Sequence, residues 1–178
     1  MFVRSIFTET ELAIIHQDLD QQLQRQDWHS WDRAIVNVEH TTDFPGGYPK
    51  EQGNITFKFI NGPIKDLLRQ KISSIDPMVR GYDFAAFYQV WDAGSATGLH
   101  DDSRYMFTAT FYLNKIWSPD DGGLYVYLDG DQYKAYVPEY NSCAFTNQST
   151  LEKHLVTPIT NNAPEKRYTI HCKGKVIK

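Results

Sequence analysis

The sequence predicts a mainly β fold, a sandwich or barrel with helices packed outside it. Two observations carry that prediction. From Tyr82 onward, short runs rich in Val, Ile, Tyr, Phe and Thr are separated by clusters of Asp, Gly, Asn and Pro, the punctuation of strands and turns. Before that point, two segments repeat apolar residues at helical spacing.

In the first segment, Thr8 followed by Glu11 has the form of a capping box, and Leu12, Ile15, Leu19 and Leu23 recur three and four apart. This predicts an amphipathic helix over 9–25. Candidate strands at 34–39 and 54–60 flank the segment HTTDFPGGYPKEQGN, residues 40–54, whose glycines and prolines predict a loop that serves as a lid or as a long connection. Asn61-Gly62-Pro63 opens a second helix over 62–75, since proline suits a first helical turn. It carries Ile64, Leu67, Leu68, Ile72 and Ile75, and Asp76-Pro77 ends it. Further strands are expected near 83–91, 105–113, 123–128, 132–137, 142–146, 153–158 and 166–172. The sequence shows no internal repeat.

The chain has 178 residues, which suits one domain over 1–178 with about 70% of its unfolded surface buried. The 18 basic and 22 acidic residues give a net charge of -4, which argues against nucleic acid as a partner. No apolar run approaches the roughly 20 residues that cross a bilayer, and the opening MFVRSIFTETEL lacks the features of a signal peptide. A cytoplasmic protein without a membrane partner is expected. Cys143 and Cys172 stand alone without C-x-x-C spacing, so they read as buried, reduced thiols rather than a disulfide framework or zinc finger.

The chemistry lies in GLHDDSRY. His100 and Asp102 are two apart, so on an extended chain they project from one face. A second histidine would complete a two-histidine, one-carboxylate triad, which leaves positions on an iron(II) ion open. His154, in EKHLVTP, is the best candidate. Asp101 should point away from its neighbours and is the decoy carboxylate. Arg167, in KRYTI, offers a planar guanidinium suited to bidentate capture of a carboxylate, and Thr169 would add a hydroxyl on the same face. A metal triad beside a carboxylate-binding arginine is what 2-oxoglutarate requires: its 2-oxo acid end chelates the metal and its distal carboxylate needs a buried cation. An H-x-D pair alone is common. The order H-x-D, Gly-Gly hairpin, distal histidine and R-x-T carries the weight.

The stretch HDDSRYMFTATFYLNKIWSPDDGGLYVYLDG, followed by PEYNSCAF, KHLVTPI and KRYTI, resembles the prolyl-hydroxylase branch of the iron(II)- and 2-oxoglutarate-dependent dioxygenases. It is most similar in pattern to the hypoxia-inducible-factor and ribosomal-protein prolyl hydroxylases. The resemblance covers about residues 82–172, with YLNKIW and DDGGLYVY its most specific connecting segments. It implies a double-stranded β-helix, or jelly roll, with its catalytic core over about 82–172. It implies that His100, Asp102 and His154 hold Fe(II), that Arg167 pairs with the distal carboxylate of 2-oxoglutarate, and that Tyr112 hydrogen-bonds that carboxylate. Thr108 and Thr169 would line the same pocket. The implied co-substrates are 2-oxoglutarate and molecular oxygen, with ascorbate as an optional reductant. The implied substrate is a prolyl residue in a peptide or protein, and a free amino acid or other small molecule is the alternative.

Two departures from the family pattern bear on the site. Relatives carry a tyrosine before a glycine turn upstream of H-x-D, whereas YQVWDAGSATGLH places Trp91 near that position and Tyr88 three residues earlier. After Arg167, where relatives continue into an aromatic strand, His171 and Cys172 stand instead, and His171 reads as a structural or surface histidine. Lys173, Lys175 and Lys178 read as a solvated basic tail or a weak docking patch. The rival readings are a jelly-roll module that keeps the triad without turnover, and a cupin-type isomerase, which has no need of the arginine.

Overall fold

The computed structural model describes residues 1–31, 54–129, 131–150 and 153–175. Their elements run β1 (Phe2–Arg4), α1 (Glu9–Leu23), β2 (His29–Trp31), β3 (Ile55–Phe59), α2 (Gly62–Ile75), β4 (Phe84–Trp91), β5 (Thr97–His100), β6 (Phe107–Tyr112), β7 (Tyr125–Asp129), β8 (Gln132–Tyr136), β9 (Ser142–Asn147), β10 (His154–Val156) and β11 (Arg167–Gly174). The expected helix over 62–75 is α2. The expected helix over 9–25 is α1, which stops at Leu23. The candidate strand at 34–39 and loop residues 40–53 lie outside the described residues.

The strands form two antiparallel sheets, a large one in the order β1-β9-β6-β11-β4-β3-β2 and a small one in the order β5-β10-β7-β8. This is the double-stranded β-helix that the sequence implied, with both helices on the outer face of the large sheet. The capping box forms: Thr8 N–H donates to Glu11 at 2.7 Å, and Glu11 N–H donates to the Thr8 hydroxyl at 3.3 Å. Such a cap contributes about 1 kcal/mol. Burying one Leu or Ile contributes about 1.5–3 kcal/mol, and α1 buries Leu12, Ile15 and Leu19 while α2 buries Ile64, Leu68 and Ile72. Packing on the sheet therefore dominates helix stability. Leu23, at the end of α1, remains exposed.

Strand alternation sorts the large sheet into two chemically different faces. Phe107, Ala109 and Phe111 of β6 and Ile170 and Cys172 of β11 join the apolar core beneath the helices. Thr108, Thr110 and Tyr112, with Arg167, Thr169, His171 and Lys173, alternate to the inner face, toward the small sheet. A one-residue register slip would exchange these sets, so the apolar pattern that builds the core also fixes what the interior presents. Both cysteines are buried and free. Burial pushes the Cys172 thiol well up.

Candidate active site

The two sheets enclose a cavity of about 140 Å³, lined among others by Gln89, Trp91, His100, Asp102, Tyr112, Tyr125, His154, Arg167, His171 and Lys173. Strand pairing brings the two histidines together: His100 on β5 stands directly opposite His154 on β10, with ring centroids 4.4 Å apart. Past His154 the register of this pair slips, and the Thr97 hydroxyl takes up the Val156 N–H at 3.1 Å. Asp102 follows the end of β5, in a turn closed by the Tyr105 N–H on the Asp102 carbonyl at 2.9 Å. His100 and Asp102 both line the cavity, and Asp101 between them is exposed. One ligand atom from each of His100, Asp102 and His154 lies within 4.8 Å of the others.

Each donor of this set is held from behind. His100 Nδ1 lies 2.7 Å from the Gly98 carbonyl, which fixes the proton there and leaves Nε2 as the electron-pair donor. Thr108 donates to Asp102 Oδ2 at 2.8 Å, and its hydroxyl also meets that of Thr146 at 2.8 Å. His154 Nε2 is 3.6 Å from Asp102 Oδ2, and the His154 ring stacks on Tyr125. Burial opposes the Asp102 charge, but His154, His171 and His100, together with the Thr108 hydroxyl, outweigh it and hold the carboxyl below its ordinary range. Asp101 is exposed, and its carboxylate accepts the Ser103 N–H at 3.1 Å. Thr108→Val keeps the shape and removes the hydroxyl. It should weaken metal binding about 10- to 100-fold, the usual cost of losing a ligand's supporting partner. Calorimetric titration with Mn(II) checks this, and unchanged affinity would contradict it.

Arg167 enters the same cavity from the first position of β11 and is 1% exposed. Its Nη1 donates to the Gly123 carbonyl at 2.9 Å, and the guanidinium lies over the rings of Trp91 and Tyr112, at 4.8 and 5.0 Å from their centroids. Its Nε and the Tyr112 hydroxyl are both buried without a hydrogen-bond partner, and no carboxylate among the described residues pairs with it. Burial pulls the Arg167 pKa down and pushes the Tyr112 phenol up to about 12, with the Arg167 charge opposing the latter. A buried cation beside an unpartnered hydroxyl is a site built for an anion, because leaving both orphaned costs more than burying them satisfied. The donor set and this orphaned pair fit a divalent ion and a dicarboxylate bound side by side.

Gly123 makes room for the arginine. It adopts φ +62°, and a Cβ there would stand 3.0 Å from Arg167 Nη1 and 3.3 Å from its Cδ. Gly123→Ala should cost about 1–2 kcal/mol from the left-handed backbone alone and should weaken dicarboxylate binding by displacing the guanidinium. Thermal melts with and without 2-oxoglutarate check both effects; a wild-type ligand-induced shift in Tm would contradict the second.

Other expectations need relocation. Thr108 and Thr169 stand behind the cavity wall: Thr108 is engaged with Asp102, and the Thr169 hydroxyl donates to Gln89 Oε1 at 3.1 Å. Gln89, which the sequence reading did not single out, lines the cavity in their place and accepts from Trp91 Nε1 at 3.3 Å. Trp91 pairs with Arg167 across β4 and β11. Tyr88 faces the helices and donates to Asp18 at 2.9 Å. His171 lines the cavity rather than the surface, and its Nδ1 meets the Thr110 hydroxyl at 2.8 Å. Lys173 is no part of a solvated tail: it too lines the cavity. Lys175 pairs with Asp83 outside the cavity, and Lys178 lies outside the described residues.

A jelly roll whose interior joins a two-histidine, one-carboxylate set to an orphaned buried arginine is the arrangement expected of an iron- and 2-oxo-acid-using oxygenase. Residues 85–172 match the family model of the 2OG-Fe(II) oxygenase superfamily. No curated protein sequence matches the chain. Among solved structures, a Pseudomonas putida prolyl-4-hydroxylase is similar at 14% identity and TM-score 0.74, covering 100% of this chain and 92% of its own. A Trichoplax adhaerens prolyl hydroxylase, in complex with a hypoxia-inducible-factor oxygen-degradation-domain peptide, is similar at 14% identity and TM-score 0.71, covering 98% and 82%. A non-heme α-ketoglutarate-dependent epimerase from nogalamycin biosynthesis is similar at 12% identity and TM-score 0.66, covering 97% and 76%. At these identities the likeness is one of fold.

Proposed function

We propose that this protein is an Fe(II)- and 2-oxoglutarate-dependent dioxygenase that hydroxylates a prolyl residue in a peptide or protein, releasing succinate and CO2. The observation that carries the reading is the orphaned Arg167 cation in the cavity that also holds His100, Asp102 and His154. A metal-only module or a cupin-type isomerase leaves that buried charge unexplained. The two prolyl hydroxylases of similar fold, one of them with a bound peptide, support the substrate class. The epimerase of similar fold supports a second reading, oxidation of a free amino acid or another small molecule.

In this reading His100, Asp102 and His154 hold the metal. Bound iron, with 2-oxoglutarate and oxygen, supplies the oxidising chemistry, and the protein supplies binding, orientation and exclusion of water. Thr108 and the Gly98 carbonyl orient their ligands before the metal arrives. Arg167 takes the distal carboxylate with its Nε–H, and Tyr112 donates its O–H to it. Trp91 and the Gly123 carbonyl keep the guanidinium flat and aimed while it waits. Because the Tyr112 pKa is raised, its proton stays available for that bond. Ascorbate would serve as an accessory reductant. Purified protein with Fe(II) and 2-oxoglutarate should release succinate under air, with the release stimulated by a prolyl substrate. Absence of succinate from metal-loaded protein would defeat the proposal.

A further inference from the structure

Gln89 is a buried amide in β4, 3% exposed in the otherwise apolar and aromatic run FAAFYQVW. Its Oε1 is used twice, accepting from Trp91 Nε1 at 3.3 Å and from the Thr169 hydroxyl at 3.1 Å. An indole N–H only donates, so the amide atom that faces it is the oxygen, and the amide's orientation is fixed. Nε2 is thereby turned away from both donors, and none of the described residues accepts its N–H bonds. Gln89 lines the cavity, so these are donors that the cavity wall holds in reserve. A buried amide with idle donors costs free energy until an acceptor arrives.

Strand register says where that acceptor sits. Gln89 pairs with Thr169 across β4 and β11, and Thr169 pairs with Tyr112 across β11 and β6. Gln89 and Tyr112 therefore flank Thr169 at one level of the sheet, about 10 Å apart at the backbone. Arg167, on the strand between them, carries its guanidinium over the rings of Trp91 on one side and Tyr112 on the other. Trp91 is also the residue that holds Gln89. The amide thus borders the guanidinium on the β4 side as the phenol does on the β6 side. Three idle donors border one region of the cavity: Arg167 Nε, the Tyr112 hydroxyl and Gln89 Nε2. A group that only accepts, with about four lone-pair positions, satisfies all three, and an ionised carboxylate is such a group.

We infer that Gln89 is a co-substrate-binding residue: its Nε2 donates to the distal carboxylate of 2-oxoglutarate beside Arg167 and Tyr112, and Trp91 and Thr169 are the positioning residues that aim it. The inference rests on the proposed oxygenase function and names a further residue of that same site. It also gives a role to the tryptophan that stands near the position where relatives carry a tyrosine. The indole N–H, which a phenol would replace with a group that both donates and accepts, holds the amide in one orientation.

The test is anaerobic calorimetric titration of the full chain loaded with Mn(II), so that binding is read without turnover. Two probes are compared: 2-oxoglutarate, and 2-oxopentanoate, which keeps the 2-oxo acid end and carries a methyl group in place of the distal carboxylate. Gln89→Leu should weaken 2-oxoglutarate about 10- to 100-fold, the scale of one hydrogen bond to a charged group, and should leave 2-oxopentanoate within about twofold. Varying ligand and residue together isolates their contact, since a role in packing alone would weaken both probes equally. Gln89→Glu keeps the shape and the oxygen that Trp91 and Thr169 hold, but it places a second carboxylate beside Arg167. That variant should bind 2-oxoglutarate about 100-fold more weakly or worse and, without ligand, melt no lower than the wild type, which covers the case of a Gln89→Leu chain that does not fold. Wild-type affinity for 2-oxoglutarate in either variant, or an equal loss for both probes, would overturn the inference alone. A wild-type chain that takes up Mn(II) but no 2-oxoglutarate would instead overturn the oxygenase reading, and this inference with it.

Discussion

Arg167→Met is expected to lower 2-oxoglutarate affinity about 100- to 1,000-fold or more while changing the stability of the ligand-free protein little. The first effect follows from removing one partner of a buried charge pair, a loss of about 3–5 kcal/mol. The second follows from what surrounds the arginine without its ligand. The guanidinium is buried, its Nε has no partner, and it lacks a counter-ion among the described residues. Methionine, apolar and shorter, loses the Gly123 hydrogen bond and the contacts with Trp91 and Tyr112, but it also sheds the cost of burying the charge. The wild type and the variant should therefore melt alike without ligand and differ with it. At 2-oxoglutarate concentrations near 100 times Kd, the wild type gains about 2.7 kcal/mol of stability by linkage, and the variant should gain almost none. A large drop in the Tm of the ligand-free variant would mean that Arg167 is a structural residue.

Asp102→Ala should remove metal binding more completely than Thr108→Val, because it deletes a donor rather than its support, and should abolish succinate formation. Two facing imidazoles remain, and they cannot offer the carboxylate that a hard divalent ion prefers in a mixed nitrogen and oxygen set. Asp101→Asn is the discriminating companion. Its side chain is turned to the Ser103 N–H, so metal affinity should stay near the wild-type value. If the two variants behave alike, the carboxylates have been assigned wrongly.

The parts of the fold legible in the sequence were those written in long periodic runs. Both helices, and each candidate strand that lies within the described residues, announced themselves by period and punctuation. β1, β2 and β5 carry no such signal in their three or four residues, whereas β10, equally short, stands in the strand-like run HLVTPI. At the site, His100, Asp102, His154, Arg167 and Tyr112 were legible as residue types in a recognisable order, and the structure brings them to one cavity. Their supports were less so. That Thr108 serves Asp102 and Thr169 serves Gln89 depends on which strands become neighbours, which local sequence does not record. His171 and Lys173 could have been found. The alternation that put Arg167 and Thr169 on one face extends to both, but a lysine near the end of the chain reads as solvated unless the strand is followed to Gly174.

The most direct measurement is anaerobic calorimetric titration of the wild-type chain with Fe(II) and then with 2-oxoglutarate. One metal and one 2-oxoglutarate should bind per chain, each tightening the other by the same factor, since coupling between two sites is reciprocal. Binding of 2-oxoglutarate that ignores the metal, or a chain that takes up neither, would contradict the account.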